Sequence, residues 1–285
     1  CCSEWQKTGY RPCIRCIKMA QQRWKLTIEY RGTDFAGWQR QEDGVPSVQQ
    51  HIEDAIARFC GQECRLHVAG RTDAGVHATG QVVHFDTNAN RPLTAWVRGV
   101  NTFLPPAVAV RWAHPVADEF HARFSAYARR YRYLLLNRPQ RPGVQSGRVG
   151  WCHQPLDVVR MQAAAEALLG EHDFSSFRAA ECQAKSPQKT MHVAQVRRVG
   201  EVIVFDFEAS AFLHHMVRNL VGSLVYIGQG RQPADWMQTL LEVRDRRVAA
   251  PTFAAEGLYL VGVRYEAHWG LPNRIDDGLS DLQLI

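Results

Sequence analysis

Trp24-Lys25-Leu26-Thr27-Ile28-Glu29-Tyr30 alternates apolar and polar side chains with a period of two. That period puts Trp24, Leu26, Ile28 and Tyr30 on one face, the pattern of a half-buried strand. Working outward, Ser47-x-x-Gln50 is a capping box that opens a helix. Val48, Ile52, Ile56 and Phe59 share one face of that helix, and Gly61 follows its last turn. Short apolar strands are expected at 66–69 and 81–85. Residues 94–103 can form a second helix, stopped by Pro105-Pro106. Residues 108–112 read as a strand, which completes the order β-α-β-β-α-β.

After an expected linker at 115–119 the order recurs. A strand is predicted at 127–136. A helix follows at 155–169, with Val158, Met161, Ala165 and Leu168 on one side and Gly170 at its end. Residues 193–199 and 202–209 form a hairpin about Gly200. A strongly apolar helix covers 212–227, an extra helix about 234–244, and a strand 257–265. The order is that of a layer of helices on an antiparallel sheet. The expected fold is α+β: two pseudo-symmetric ferredoxin- or RRM-like halves, 19–117 and 118–268, with antiparallel sheets flanking a basic central cleft. Residues 269–285 are a tail.

The 285 residues are 46% hydrophobic and 22% charged, which excludes a disordered, collagen-like or coiled-coil chain. No apolar run approaches the roughly 18–20 residues of a membrane helix. The net charge of +6 favours a polyanionic partner. Of eight cysteines, Cys1, Cys2, Cys13 and Cys16 lie in the first sixteen residues, and Cys60, Cys64, Cys152 and Cys182 are scattered. That is not a secreted disulfide framework, and a reducing cytoplasm is the expected compartment. Residues 1–18 lack apolar periodicity and read as an upstream extension before Met19. Cys1-Cys2 makes a poor second pair for Cys13-x-x-Cys16, so no metal is expected there.

One loop concentrates chemistry: Ala69-Gly70-Arg71-Thr72-Asp73-Ala74-Gly75-Val76-His77-Ala78-Thr79-Gly80-Gln81. A carboxylate among glycines, two residues after a cation, can be an acid, a base or a nucleophile. The same residue types also describe a plain turn in which Asp73 bonds its own backbone and Arg71 is solvated.

Gly70-Arg71-Thr72-Asp73-Ala74-Gly75-Val76-His77, with Thr79-Gly80-Gln81-Val82 after it, resembles the signature of the tRNA pseudouridine synthase A family. Gly37-Trp38-Gln39-Arg40-Gln41, Phe120-His121-Ala122-Arg123-Phe124-Ser125-Ala126, Arg129-Arg130-Tyr131-Arg132-Tyr133, His214-His215-Met216-Val217-Arg218-Asn219 and Glu256-Gly257-Leu258-Tyr259-Leu260 resemble further motifs of the family, in family order. The resemblance covers about residues 24–265. Ala78 departs from it, standing where members often carry glycine.

The resemblance implies an isomerase that converts uridine to pseudouridine at positions 38, 39 and 40 of the tRNA anticodon stem-loop. It implies a homodimer and no metal or redox cofactor. Asp73 matches the catalytic aspartate. Tyr131 matches the tyrosine set against the target base, where its ring can stack and its hydroxyl assist proton transfer at C5. Arg218 matches an arginine paired with that aspartate, and its apolar helical neighbours also call for a carboxylate partner. Arg71, Arg129, Arg130 and Leu260 are expected at the substrate.

Arginines 129, 130, 132, 138, 141 and 148 occupy a stretch without Asp or Glu. It reads as a phosphate-binding strip feeding Tyr131 and Asp73, or as a charged strand edge. Lys185, Lys189, Arg197 and Arg198 add to it. His214 and His215, taken as adjacent residues on a helix, point about 100° apart and are not expected to share an ion. His77 and His84 read as loop and core-edge residues or RNA contacts, and Trp38 as a packing anchor. Two other readings stand beside the leading one. One is a non-catalytic RNA-binding protein of two RRM-like halves, although no aromatic RNP1 motif is present. The other is a pseudouridine synthase acting on another RNA.

Overall fold

The computed structural model describes residues 21–42 and 44–271; the readings of residues 1–18 and of most of the 269–285 tail fall outside them. The first half runs β1 (Gln22–Tyr30), α1 (Val48–Cys60), β2 (His67–Val68), β3 (His77–Thr87), α2 (Leu93–Asn101) and β4 (Val108–Val116). The second runs β5 (Ala126–Asn137), β6 (Gly150–Cys152), α3 (Val158–Glu166), β7 (Gly170–Asp173), β8 (Gln188–Val199), β9 (Val202–Ala209), α4 (Met216–Gly228), α5 (Trp236–Val243) and β10 (Leu258–Tyr265). The capping signals act as expected on α1: Ser47 accepts a hydrogen bond from the Gln50 N–H, and Gly61 closes the helix in the left-handed region.

Both halves share one strand order. The first is arranged β4-β1-β3-β2 and the second β10-β5-β9-β8, with β7 added outside β8. The halves do not carry separate sheets, however, and here the expectation is corrected. β2 pairs with β3 only at His84 and Val83, which leaves the other end of that β3 edge open. β10 fills it, pairing Tyr259 with His77 and Leu260 with Ala78 in parallel. One sheet therefore runs through the molecule. At this seam a side chain on Gly80 would put its Cβ 2.4 Å from the Val261 carbonyl oxygen, so only glycine permits the approach.

The helices cover one face of the sheet over a single core that spans both halves and includes Trp38, Trp96, Phe85, Phe174, Phe205 and Phe207. Pro115, expected in a linker, instead pairs with Trp24 inside β4, and the connector is 117–125. The apolar helix expected from 212 starts at Met216, because His215 has φ +60° and cannot continue a right-handed helix. No helix among the described residues is long and apolar enough to cross a membrane.

Candidate active site

Residues 69–76 leave β2, pass along the seam and enter β3. Their backbone is held from several sides. Gln81, fully buried, donates from Nε2 to the Gly70 carbonyl at 2.7 Å and to the Tyr30 hydroxyl at 3.2 Å. Tyr30 shares a 2.7 Å hydrogen bond with Thr72 Oγ1. Burial pushes the Tyr30 phenol up to about 12, so it keeps its proton. The Trp38 N–H donates to the Thr72 carbonyl at 2.9 Å while the Trp38 ring anchors the core. Gly37, at φ +102°, allows that approach, since a Cβ there would lie 3.0 Å from the same carbonyl oxygen. At the loop's end, His77 Nδ1 accepts from the Gly32 N–H at 3.0 Å, so its proton sits on Nε2, facing the Glu256 carbonyl at 3.0 Å. Burial lowers the His77 pKa and keeps the ring neutral. The simple turn with a self-bonded Asp73 side chain is not what this network builds.

Asp73 leaves a third of its side chain exposed and meets three basic groups from one segment. His214 Nε2 lies 3.2 Å from Oδ1, His215 Nε2 3.4 Å from Oδ2, and Arg218 Nη1 3.8 Å from Oδ2. Arg218 also donates from Nε to the Phe253 carbonyl at 2.7 Å, which fixes its position. His215 caps α4 through its backbone and offers no side-chain cap, its ring being turned toward Asp73. The positive end of α4 adds to the field on the carboxylate.

Tyr131 is buried beside this carboxylate. A Cβ on Gly70 would lie 3.8 Å from its hydroxyl oxygen, and its ring meets Phe212 edge-on at 5.0 Å. Burial first, with the neighbouring Asp73 charge adding to it, raises its pKa, so it stands as a protonated phenol. Leu260 pairs with Tyr131 on one side and Ala78 on the other and is wholly buried. It supports the site from below and offers no surface to a substrate, which corrects the expectation for it.

The arginine strip divides. Tyr131 and Tyr133 of β5 point into the helix-covered core, whereas Leu134 and Leu136 belong to a cluster on the other face. Arg130 and Arg132 share that second face. Arg132 binds Asp206 at 2.8 and 3.2 Å, with Arg130 at 3.7 Å and Arg197 at 3.5 Å. Asp206 is itself buried, so these cations answer a carboxylate on β9 that lies far away in sequence. They do not feed Tyr131 and Asp73. Arg129 donates to the carbonyls of Ala126, Ser210, Ala69 and Arg123 at 3.0, 3.2, 3.2 and 2.6 Å. It ties β5 to the head of the loop that carries Asp73 and has both Nη atoms engaged by backbone carbonyls. Arg138 pairs with Glu201 at 2.8 Å. Arg71 and Arg141 are exposed and make no ion pair among the described residues.

His214 and His215 are the residues the sequence reading missed. Treated as helical they point apart; ahead of the helix they converge. Two consecutive imidazoles at the head of an otherwise apolar helix were the available signal. Among the described residues, two groups of side chains have donor atoms close enough to share a metal ion: Asp73 with His214 and His215, and His67 with His84 and His121. A cavity of about 400 Å³ lined by Glu171, His172, Asp173, Glu242 and Arg244 contains none of the residues around Asp73.

A loop-borne carboxylate among basic groups, beside a buried phenol at the seam of two halves, defines an acid–base or nucleophilic enzyme site. The family model for tRNA pseudouridine synthase matches residues 26–125 and 164–266. The tRNA pseudouridine synthase A of Dechloromonas aromatica (strain RCB) is 63% identical over 257 residues, covering 90% of this chain and 98% of that one. That of Aromatoleum aromaticum (strain DSM 19018 / LMG 30748 / EbN1) is 59% identical over 247 residues, covering 87% of this chain and 93% of that one. Among solved chains, one from a Cbf5-Nop10-Gar1 complex has a TM-score of 0.32 at 11% identity, covering 70% of this chain and 54% of its own. The chain belongs to the tRNA pseudouridine synthase family. It is an enzyme of the isomerase class.

Proposed function

We propose that this enzyme isomerises uridine to pseudouridine at positions 38, 39 and 40 of the tRNA anticodon stem-loop, with Asp73 as nucleophile. The observation that carries the reading is the Asp73 carboxylate, part exposed and faced by Arg218, His214 and His215, with the Tyr131 phenol buried beside it. The reaction breaks the N1–C1′ bond and rejoins the ring through C5, after which C5 loses a proton. An ionised carboxylate is needed to attack C1′ or to open a glycal route. A uridine in a stem must be extruded to reach Asp73. Tyr131 then gives the base an aromatic surface and a hydroxyl near C5. Arg71, Arg141 and Arg148, exposed and without ion pairs among the described residues, are among the cations available to meet phosphates. The enzyme works as a homodimer in the cytoplasm, one tRNA touching both subunits, and requires no metal for catalysis.

Pseudouridine mapping on unmodified tRNA tests this. The wild-type enzyme converts positions 38–40, and Asp73→Asn converts none of them while still binding tRNA. Conversion by Asp73→Asn at the wild-type rate ends the assignment of the nucleophile; conversion only at other positions ends the assignment of the target.

A further inference from the structure

We propose that Asp73, His214 and His215 form a two-histidine, one-carboxylate site for a divalent transition-metal ion, and that such an ion inhibits the enzyme. The inhibition rests on the reading of Asp73 as nucleophile; the metal binding does not.

The distances carry the argument. An ion bound to imidazole nitrogen and carboxylate oxygen at about 2.0–2.1 Å in tetrahedral geometry holds those atoms about 3.3 Å apart. The two nitrogen–oxygen separations here are 3.2 Å to Oδ1 and 3.4 Å to Oδ2, so each imidazole stands at ligand spacing from one oxygen of the same carboxylate. The donor atoms of all three residues lie within 4.8 Å of one another, so the side chains can close on a single ion by side-chain rotation. Neither contact is aligned as a hydrogen bond, so the nitrogens are not committed to the carboxylate as donors.

The backbone builds this arrangement. His214 N–H donates to Cys182 Sγ at 3.4 Å, and its carbonyl accepts from the Ala179 N–H at 3.0 Å. His215 sits at φ +60°, one of two non-glycine residues among those described with positive φ. A left-handed residue that is not glycine costs free energy and persists where its surroundings demand it. The result is two ring centroids 4.0 Å apart, with both Nε2 atoms facing one carboxylate. Exposures of 26–37% leave the site open to an ion from solvent.

The donor set selects the ligand. Two imidazoles and a carboxylate suit Zn²⁺, Co²⁺, Ni²⁺ or Fe²⁺ over Mg²⁺ or Ca²⁺, which prefer oxygen. No carboxylate or carbonyl orients the far nitrogens of His214 and His215 among the described residues, and Arg218 lies 3.8 Å from Oδ2. Both features weaken the site, so the ion is reversible and not structural. By contrast, His84 and His121 in the other histidine group accept backbone N–H bonds on Nδ1, from Ala122 and from Arg123. That commits the proton to Nε2 and makes them poor ligands.

An ion on Asp73 occupies the lone pairs that would attack the ribose and blocks the position of the target uridine. The test is a Co²⁺ titration of the full-length protein, read by visible d–d absorption, with Zn²⁺ as competitor. One equivalent should give tetrahedral-type absorption without the intense thiolate charge-transfer bands that the cysteines would produce. His214→Ala and His215→Ala should each weaken this binding by at least about tenfold, whereas His67→Ala should leave it unchanged. Arg218→Met should strengthen it, because a like charge is removed. In parallel, Zn²⁺ should halt pseudouridine formation by the wild-type enzyme, with full recovery on adding chelator. Absorption unchanged in the His214→Ala/His215→Ala double variant overturns the site. Wild-type activity at saturating Co²⁺ or Zn²⁺ overturns the inhibition. Activity in Asp73→Asn would remove the nucleophile reading and leave the Co²⁺ result standing by itself.

Discussion

Replacing Arg218 by Met separates the two things this side chain does. Its Nη1 lies 3.8 Å from Asp73 Oδ2, and its Nε donates to the Phe253 carbonyl at 2.7 Å. Two unit charges at that separation attract by about 1 kcal/mol in water and about 4 kcal/mol at an effective dielectric of 20. Asp73 is one-third exposed and Arg218 only 17%, so solvent screening puts the pair in the lower half of that range. A loss of about 1–2 kcal/mol of transition-state stabilisation slows the reaction roughly 5- to 30-fold. The lost bond to Phe253 costs about 1 kcal/mol of stability, a fall in melting temperature of roughly 2–4 °C for a protein of this size. Met matches the apolar surroundings of α4, so the variant folds. Arg218→Lys keeps the charge without the second hydrogen bond, and should recover most of the rate but little of the stability. Single-turnover pseudouridine formation and thermal melting, run side by side, read both effects. A folded Arg218→Met enzyme with the wild-type single-turnover rate would refute the electrostatic role of Arg218.

Three further outcomes follow from the same geometry. Gly80→Ala drives a methyl to 2.4 Å from the Val261 carbonyl, so it should cost at least about 1–3 kcal/mol by melting, while Gly143→Ala, whose methyl meets open space, should cost far less. His84 is buried, accepts the Ala122 N–H on Nδ1, and has its pKa driven down to about 3 by burial. The folded state therefore binds fewer protons than the unfolded chain below pH 6.5; stability is full above that pH and falls by about 2 kcal/mol by pH 5, a slope that His84→Gln should flatten in pH-dependent denaturant melts. Arg71→Ala with Arg141→Ala should weaken tRNA binding and lower the salt slope by about one unit for each phosphate no longer neutralised, and an unchanged slope would place both in solvent.

The alternation in β1, the capping box of α1 and the hairpin about Gly200 were legible because each depends on residues close in sequence. β6 and β7 were not foreseen. They are three and four residues long, too short to show a period, and exist because β5 and β8 offer them an edge. The glycines and neighbouring cation drew notice to Asp73 but equally described a plain turn, so its selection rested on the family resemblance; the pairing of Arg218 rested on the same resemblance, with its apolar neighbours in support. The fate of the arginine strip was hidden. Its answering charge, Asp206, lies 74 residues from Arg132 and meets it only once β9 pairs with β5. His214 and His215 were misread for a related reason: the apolar run continues through them, and only the backbone at φ +60° shows that the helix starts one residue later.

Setting the two halves side by side shows where the site comes from. β9 and β3 occupy equivalent places in the shared strand order, and so do their partners β8 and β2. β8 is twelve residues long and reaches β9 through the two-residue turn Gly200-Glu201. β2 is two residues long and reaches β3 through the loop at 69–76. The chain withdrawn from β2 becomes the loop that carries Asp73. The same withdrawal bares the β3 edge at His77 and Ala78, and β10 takes it. A single local difference between the repeats therefore frees a carboxylate, joins the halves, and sets Tyr131, one strand over from Leu260, next to the loop that was freed. Extending β2 to the length of β8 would compete with β10 for the β3 edge, so the shortness of β2 is a requirement of the site as well as of the seam.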